Sequence, residues 1–275
     1  MSSESAQKLI KAGSDLAGAA VGGALGFLAG DTLTAAVGAM AGGVVTNVLT
    51  DVSDRVLSAR EKMRVGATAA IAIEHIRKRV DQGEKLRQDG FFEKKSEPES
   101  GKSSSQADEI FEGVLLKAKN DHEEKKIKHL GKLFANVAFD PWCSPAEANY
   151  LLRLAETMTY TQMVLLKIAH SPEAYRLRNT AYQEGEQVPY KTVAVLESIL
   201  EAHHKALIQF TDKGHHLQIN SINPSTISFG VVGKRFFEML SLREIPDADV
   251  EDIRRSLSAD RAEVFQEIVS RSSAP

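Results

Sequence analysis

Two pairs of histidines are the first residues whose type and spacing could support chemistry. His215-His216 opens a predicted strand that follows the helix carrying His203-His204, so one imidazole from each pair could approach a shared point. Imidazole nitrogen is a common zinc ligand, but zinc sites usually add a carboxylate or a thiolate, and the sequence supplies neither clearly. We therefore predict surface or packing histidines and no bound metal.

A second candidate is a nucleotide-binding loop, because residues 100–103 read Ser-Gly-Lys-Ser. Such a loop needs an earlier glycine after a strand, so that its backbone amides can cradle phosphate. Ser96 stands where that glycine should be, and no strand is predicted before it. The segment is therefore interpreted as part of a solvated linker.

The single cysteine, Cys143, stands just before a predicted helix start, where the helix dipole favours a thiolate. No general base lies at a spacing that can be argued, so we predict a buried structural thiol beside Trp142. With no catalytic constellation in view, the sequence predicts a protein that is not an enzyme and has no cofactor.

Composition limits the partners of this chain of 275 residues. It has 34 basic and 37 acidic residues, a net charge of −3, so no global electrostatic attraction to nucleic acid or anionic lipid is expected. One cysteine cannot form an internal disulfide, which fits a reducing compartment, and Met1 to Ala12 lacks a signal-peptide pattern. We expect a cytoplasmic protein.

The N-terminal region is the anomaly of the sequence. No basic residue occurs between Lys11 and Arg55, and the only acid between Asp15 and Asp51 is Asp31. Two apolar runs, 16–30 and 32–50, flank a plausible turn at Asp31. These runs predict two antiparallel helices.

Glycines recur at intervals of four along both runs. On a helix this spacing forms a face without side chains, where another backbone can approach closely. Each interior glycine costs about 0.5 to 1 kcal/mol relative to alanine, so eight glycines in residues 16–50 need a compensating gain from packing. The predicted membrane and self-association residues are Gly18, Gly22, Gly26, Gly30, Gly38 and Gly42.

This pattern resembles the glycine-zipper segments of membrane hairpins, a resemblance that covers residues 16–50 alone. At 1.5 Å per residue the runs span roughly 22 and 28 Å against a hydrocarbon core of about 30 Å, so insertion is predicted to be conditional or to require an oligomer. Lys8 and Lys11 before the hairpin and Arg55 after it place both ends on the cytoplasmic side. The alternative is a soluble hairpin packed against the next helix.

Residues 52–89 are charged and amphipathic, which predicts a helix of roughly ten turns that ends near Gly90. Residues 91–106 are polar and rich in Ser, so they predict a flexible linker. A helix then runs from a capping box at Ser105 and Asp108 to Asp140. The predicted domains are thus 1–90, the linker 91–106, and a helical domain 107–275.

Later helix starts are marked by Ser144-Pro145, by Thr159 with Gln162, by Ser171-Pro172 and by Pro189. The order that follows, with helices at 160–169, 172–179 and 190–204, a two-stranded wing at 207–222 and a helix at 231–240, resembles a winged-helix module. Two further helices are predicted after Pro246.

A DNA-binding module of this kind would carry excess basic charge, but residues 141–245 hold ten basic and ten acidic residues. The predicted recognition helix also carries Glu197 and Glu201. Nucleic acid is therefore a disfavoured partner, and contact with another protein stays open.

Together these patterns predict a mainly α protein with an N-terminal Gly/Ala-rich helical hairpin, a long amphipathic helix, a flexible linker and a winged-helix-like C-terminal domain with a two-stranded β-hairpin. The expected function is non-enzymatic association with the inner face of the cell membrane and with itself, as in a pore-forming bacterial effector of stress or phage defence. Two alternatives remain: a soluble oligomeric scaffold that binds a protein partner, and a winged-helix regulator that binds nucleic acid.

Overall fold

The structure, a computed structural model, describes residues 41, 43–44, 47–49, 51–52, 55, 57–96, 103–182, 186–212 and 218–258. The described residues are mainly helical with two small two-stranded antiparallel sheets, which confirms the predicted mainly α class with a small β-hairpin. The described residues fall into two compact units, one within Met1–Thr157 and one within Met158–Pro275.

The first unit is a bundle of helices. Helix α1 packs against α2 and α3, and α2 also packs against α3 and α4. All residues of α1 from Val65 to Ile73 are buried, so its middle lies inside the unit rather than along its surface. The helices are α1 (Ala59–Asp81), α2 (Gln106–Asn120), α3 (Glu124–Val137) and α4 (Pro145–Thr157).

Helix α1 is shorter than the predicted helix over residues 52–89. It begins after Ser58, whose hydroxyl and backbone form a capping box with Glu61. It ends at Asp81 because Gly83 adopts a left-handed φ of 86°. The amide of Glu84 then donates to the carbonyl of Arg79 at 3.0 Å, closing a Schellman-type turn. The predicted end near Gly90 was wrong by about two turns.

The helix predicted from Ser105 to Asp140 is divided into α2 and α3. Its start is confirmed, since Ser105 and Asp108 form the expected capping box. The break comes at Asp121, whose carboxylate accepts a hydrogen bond from the amide of Glu123 at 2.9 Å and pairs with Lys126 at 2.6 Å. A side chain that satisfies these groups stabilises a turn in place of the continuous helix.

The segment predicted as a linker has paired ends. Strand β1 (Lys95–Ser96) runs antiparallel to β2 (Ser103–Ser104), and the amide of Ala107 donates to the carbonyl of Phe91 at 3.0 Å. Helices from both sides of this segment pack together in the first unit, and the compact units divide after Thr157. The division therefore differs from the predicted boundary at residues 91–106.

In the second unit, helix α5 contacts most of the other elements, namely α6, α7, α8 and strand β4. Strand β3 pairs antiparallel with β4, with Gln209 opposite Ser228. The elements are α5 (Tyr160–His170), α6 (Tyr190–His204), β3 (Ile208–Phe210), β4 (Ile227–Phe229), α7 (Gly233–Met239) and α8 (Asp247–Ser256).

The second helix predicted for a winged-helix module was wrong. In its place the chain makes one 3-10 turn (Pro172–Tyr175), which ends where Arg176 takes a left-handed φ of 47°. The following chain is extended, because the amide of Arg178 donates to the carbonyl of Leu257 and its carbonyl accepts from Ser225. These long-range backbone bonds replace the local bonds of a helix.

Strand β3 pairs with β4 and not with residues 218–222, the described part of the predicted second wing strand (His215 to Ile222). Residues 219–221 form a 3-10 turn, residues 213–217 lie outside the described residues, and β4 begins only at Ile227. The helix predicted at 231–240 appears as α7, and the first helix after Pro246 as α8. The last predicted helix lies beyond Ser258, outside the described residues.

Candidate membrane and self-association segment

The six glycines predicted to form the membrane and self-association face lie outside the described residues. They are Gly18, Gly22, Gly26, Gly30, Gly38 and Gly42. The structure does describe residues 41, 43–44 and 47–49 at the C-terminal end of the second apolar run and residues 51–52 just after it, and all of these are helical.

This end of the second run has two different faces. The outward face carries Asn47 and Asp51, both exposed, and a Cβ added to Gly43 would meet nothing within 4 Å. The inward face is apolar and at most 9% exposed, with spacings of three and four that fit one side of a helix. Its members are Ala41, Val44, Val48, Leu49 and Val52, which we call the buried stripe.

The connection from the buried stripe to α1 is held by charged groups. Arg55 pairs with Asp51 at 2.8 Å, one turn back on its own segment, and with Glu112 on α2. The hydrogen bond to Glu112, followed by that to Asp51, raises the pKa of Arg55 above its ordinary value. These three side chains are between 39% and 70% exposed, so each pair alone contributes little stability.

The first turn of α1 is attached to the same helix, α2. Lys119 Nζ lies 3.7 Å from Glu61 Oε1, and Arg64 donates to the carbonyl oxygen of Lys119 at 3.2 Å. The pKa of Glu61 is lowered mainly by the hydrogen bond from the Ser58 amide. Helix α2 therefore contacts the chain on both sides of the start of α1.

A close helix crossing positions α1 within the first unit. A Cβ added to Gly131 on α3 would lie 2.7 Å from the carbonyl oxygen of Thr68 and 3.1 Å from Ile71 Cγ2. Glycine is therefore required for this approach of α1 and α3. Gly131 was not predicted as a packing residue, although an isolated glycine within a helical apolar pattern is the signal that could have found it.

The other candidate residues are placed as follows. The Nδ1 atom of His203 lies 3.0 Å from the carbonyl oxygen of Ile208, while the second histidine pair lies outside the described residues. Cys143 is buried as predicted, but the neighbouring Trp142 is 89% exposed. In the part of the chain that the structure describes, no three His, Cys, Asp or Glu side chains form a group that could hold a metal ion.

The structure describes only part of the segments that were weighed, and disfavoured, as nucleotide and nucleic-acid sites. Ser103 belongs to β2, whereas Gly101 and Lys102 are outside the described ranges. Helix α6 exposes the carboxylates of Glu197 and Glu201, which would repel phosphate.

Within residues 41–258, as far as they are described, no helix is both long enough and apolar enough to cross a membrane. Comparisons with protein-family models, curated proteins and solved structures give no match.

Proposed function

We propose that this chain is a non-enzymatic protein that associates with membranes and with itself through residues 16–50. The observation that carries the proposal is the interval of four between glycines in two runs without basic residues. A helix face without side chains gains dispersion contact when another helix lies against it, and that gain matters most where lipid replaces water. In an isolated helix exposed to water, each of these glycines lowers helix stability relative to alanine.

The buried stripe supports a conditional form of this association. In the folded chain the apolar side chains of Val44, Val48 and Val52 are at most 7% exposed. For these side chains to face lipid, they would first have to leave the protein interior. In the proposed protein the segment is therefore mostly held inside the fold in the cytoplasm, and excess lipid or a signal shifts it to the inner face of the membrane, as in a membrane-perturbing bacterial defence effector.

The test compares two double variants of the full chain. Gly22→Leu with Gly26→Leu fills the glycine face, whereas Ala20→Leu with Ala24→Leu adds leucines at the same interval on the opposite side of the same predicted helix. We expect the first pair to abolish self-association and vesicle binding and the second to retain both. Circular dichroism checks that each variant keeps its helical content. Equal oligomer size and equal vesicle binding in the two variants would count against the proposal.

A second candidate function is a soluble scaffold that oligomerises through the hairpin. The observation that favours it is the same buried stripe, because a helix end with an apolar inner face and a polar outer face suits a water-soluble bundle. The scaffold would form oligomers that ignore lipid. Sedimentation of the full chain with and without vesicles separates the two functions.

A further inference from the structure

Two oppositely charged residues of α2, Glu112 and Lys119, contact the chain on both sides of the start of α1. They are seven positions apart, so they occupy one face of α2 about 10 Å apart along its axis. Glu112 pairs with Arg55, which follows the buried stripe. Lys119 contacts Glu61 and accepts a hydrogen bond from Arg64 in the first two turns of α1. We call these five residues the clasp.

The clasp and the buried stripe act on the same piece of chain. Val52, the last member of the stripe, is fully buried, and the amide of Arg55 donates to its carbonyl oxygen at 3.3 Å. The ion pair between Arg55 and Glu112 thus fixes the chain three residues after the stripe ends. Moving the stripe out of the first unit requires this attachment to separate or the chain beside it to unfold.

We propose that the clasp is an autoinhibitory contact, which keeps the end of the second apolar run packed in the first unit and withholds it from membranes. This inference rests on the proposed function, because it concerns the regulation of the same segment. The ion pair between Arg55 and Glu112 suits such a role. The two side chains are 42% and 39% exposed, so water and other ions reach the pair. The exposed ion pair opens at a low cost in free energy, whereas exposing the apolar side chains of the stripe to water costs more.

The test uses charge reversal at Glu112 with a matched control. Glu112→Arg places like charges together at Arg55 and removes the contact. Glu109→Arg makes the same change of charge on the same helix, at an exposed residue whose side chain forms no ion pair among the described residues. Circular dichroism verifies that both variants remain folded. Any general effect of added positive charge on lipid binding appears equally in both.

The first readout is hydrogen exchange in vesicle-free solution. Loss of one exposed pair changes the opening equilibrium by about two- to fivefold, so the amides of residues 43–52 should exchange faster by that factor in Glu112→Arg alone. The second readout is flotation with vesicles of phosphatidylethanolamine and phosphatidylglycerol in a 3:1 ratio. The bound fraction at limiting lipid should rise by a similar factor.

A variant in which residues 55 and 112 are covalently joined tests the effect of holding the clasp closed. Arg55→Cys with Glu112→Cys, in a chain carrying Cys143→Ala, can be joined by a bifunctional methanethiosulfonate and released by dithiothreitol. Joining should lower vesicle binding below that of the unjoined variant, and reduction should restore it. This comparison is made within one folded protein, so it does not depend on the stability of the substitutions.

The outcomes separate the inference from the proposed function. If vesicles bind wild type, Glu112→Arg and Glu109→Arg equally, or if exchange is the same in both variants, the clasp has no inhibitory role. If wild type and all variants fail to float even at excess lipid, the proposed function itself is refuted. Faster exchange together with increased flotation, in Glu112→Arg and not in Glu109→Arg, supports both.

Discussion

The substitution Gly131→Ala tests the packing that positions α1. The new methyl group would lie 2.7 Å from the carbonyl oxygen of Thr68, 3.1 Å from Ile71 Cγ2 and 3.2 Å from Ile71 Cβ. The nearest of these atoms belongs to backbone, so the two helices must move apart. Such overpacking costs about 1 to 3 kcal/mol, whereas replacing a helical glycine by alanine gains about 0.5 to 1 kcal/mol. We expect a net loss of stability of up to about 2.5 kcal/mol.

Gly113→Ala is the matched control in α2. A Cβ there would meet only Leu152 Cδ2, at 3.0 Å, which is the far end of a flexible side chain. The gain in helix propensity should therefore prevail, raising stability by up to about 1 kcal/mol. Urea denaturation followed by circular dichroism measures both variants, and hydrogen exchange in α1 and α3 assigns the transition to the first unit. Stability unchanged or increased in Gly131→Ala would refute the predicted crossing of α1 and α3.

Three further predictions concern single contacts. Asp121→Ala leaves the ammonium of Lys126, which is 3% exposed, without its carboxylate partner. Urea denaturation should show that the free energy of unfolding falls by about 3 to 5 kcal/mol. A fall below about 1 kcal/mol would contradict a buried ion pair. Burial and then the hydrogen bond to Asp249 raise the pKa of Tyr160 above its ordinary value near 10. The stability that the neutral phenol contributes is therefore complete below about pH 10 and is lost as the pH rises further. Between about pH 9 and 11 the melting temperature should fall less in Tyr160→Phe than in wild type, and parallel curves would argue against this. Ala206 has a left-handed φ of 57°, which costs about 1 to 2 kcal/mol, while glycine costs about 0.5 to 1 kcal/mol in chain entropy. Ala206→Gly should therefore raise the free energy of unfolding in urea by up to about 1.5 kcal/mol, a gain that strain-free geometry would not produce.

Helix starts could be predicted from the sequence because their hydrogen bonds are local. The capping boxes of Ser105 with Asp108 and of Thr159 with Gln162 both form as predicted. At Ser144 the hydroxyl accepts a hydrogen bond from the amide of Glu147 at 3.1 Å. In each case donor and acceptor are three residues apart, so no knowledge of the distant chain is needed.

The errors occur where distant residues compete with local preferences. The predicted helix after Pro172 ends within one turn because the backbone of Arg178 bonds to Leu257 and Ser225. Strand β3 pairs with Ile227–Phe229 rather than with the nearer run, although the alternation of side chains fits both. Sequence periodicity cannot decide between partners at different distances along the chain.

At the candidate segment, too, local patterns could be predicted from the sequence and long-range contacts could not. The glycine interval could be found directly, since it is a pattern within 25 residues, and its structural outcome lies outside the described residues. The contact of Arg55 with Glu112 joins residues 57 positions apart, and nothing in either local pattern predicts it. The glycine interval was therefore visible in the sequence, whereas the clasp required the structure.

The most direct test of the account is flotation of the full wild-type chain with vesicles of phosphatidylethanolamine and phosphatidylglycerol, compared with the variant carrying Gly22→Leu and Gly26→Leu. We predict that wild type rises with the lipid as an oligomer, and that the variant stays at the bottom of the gradient. Wild-type protein that remains monomeric and below the vesicles, at every lipid concentration tried, would refute membrane association and self-association through residues 16–50.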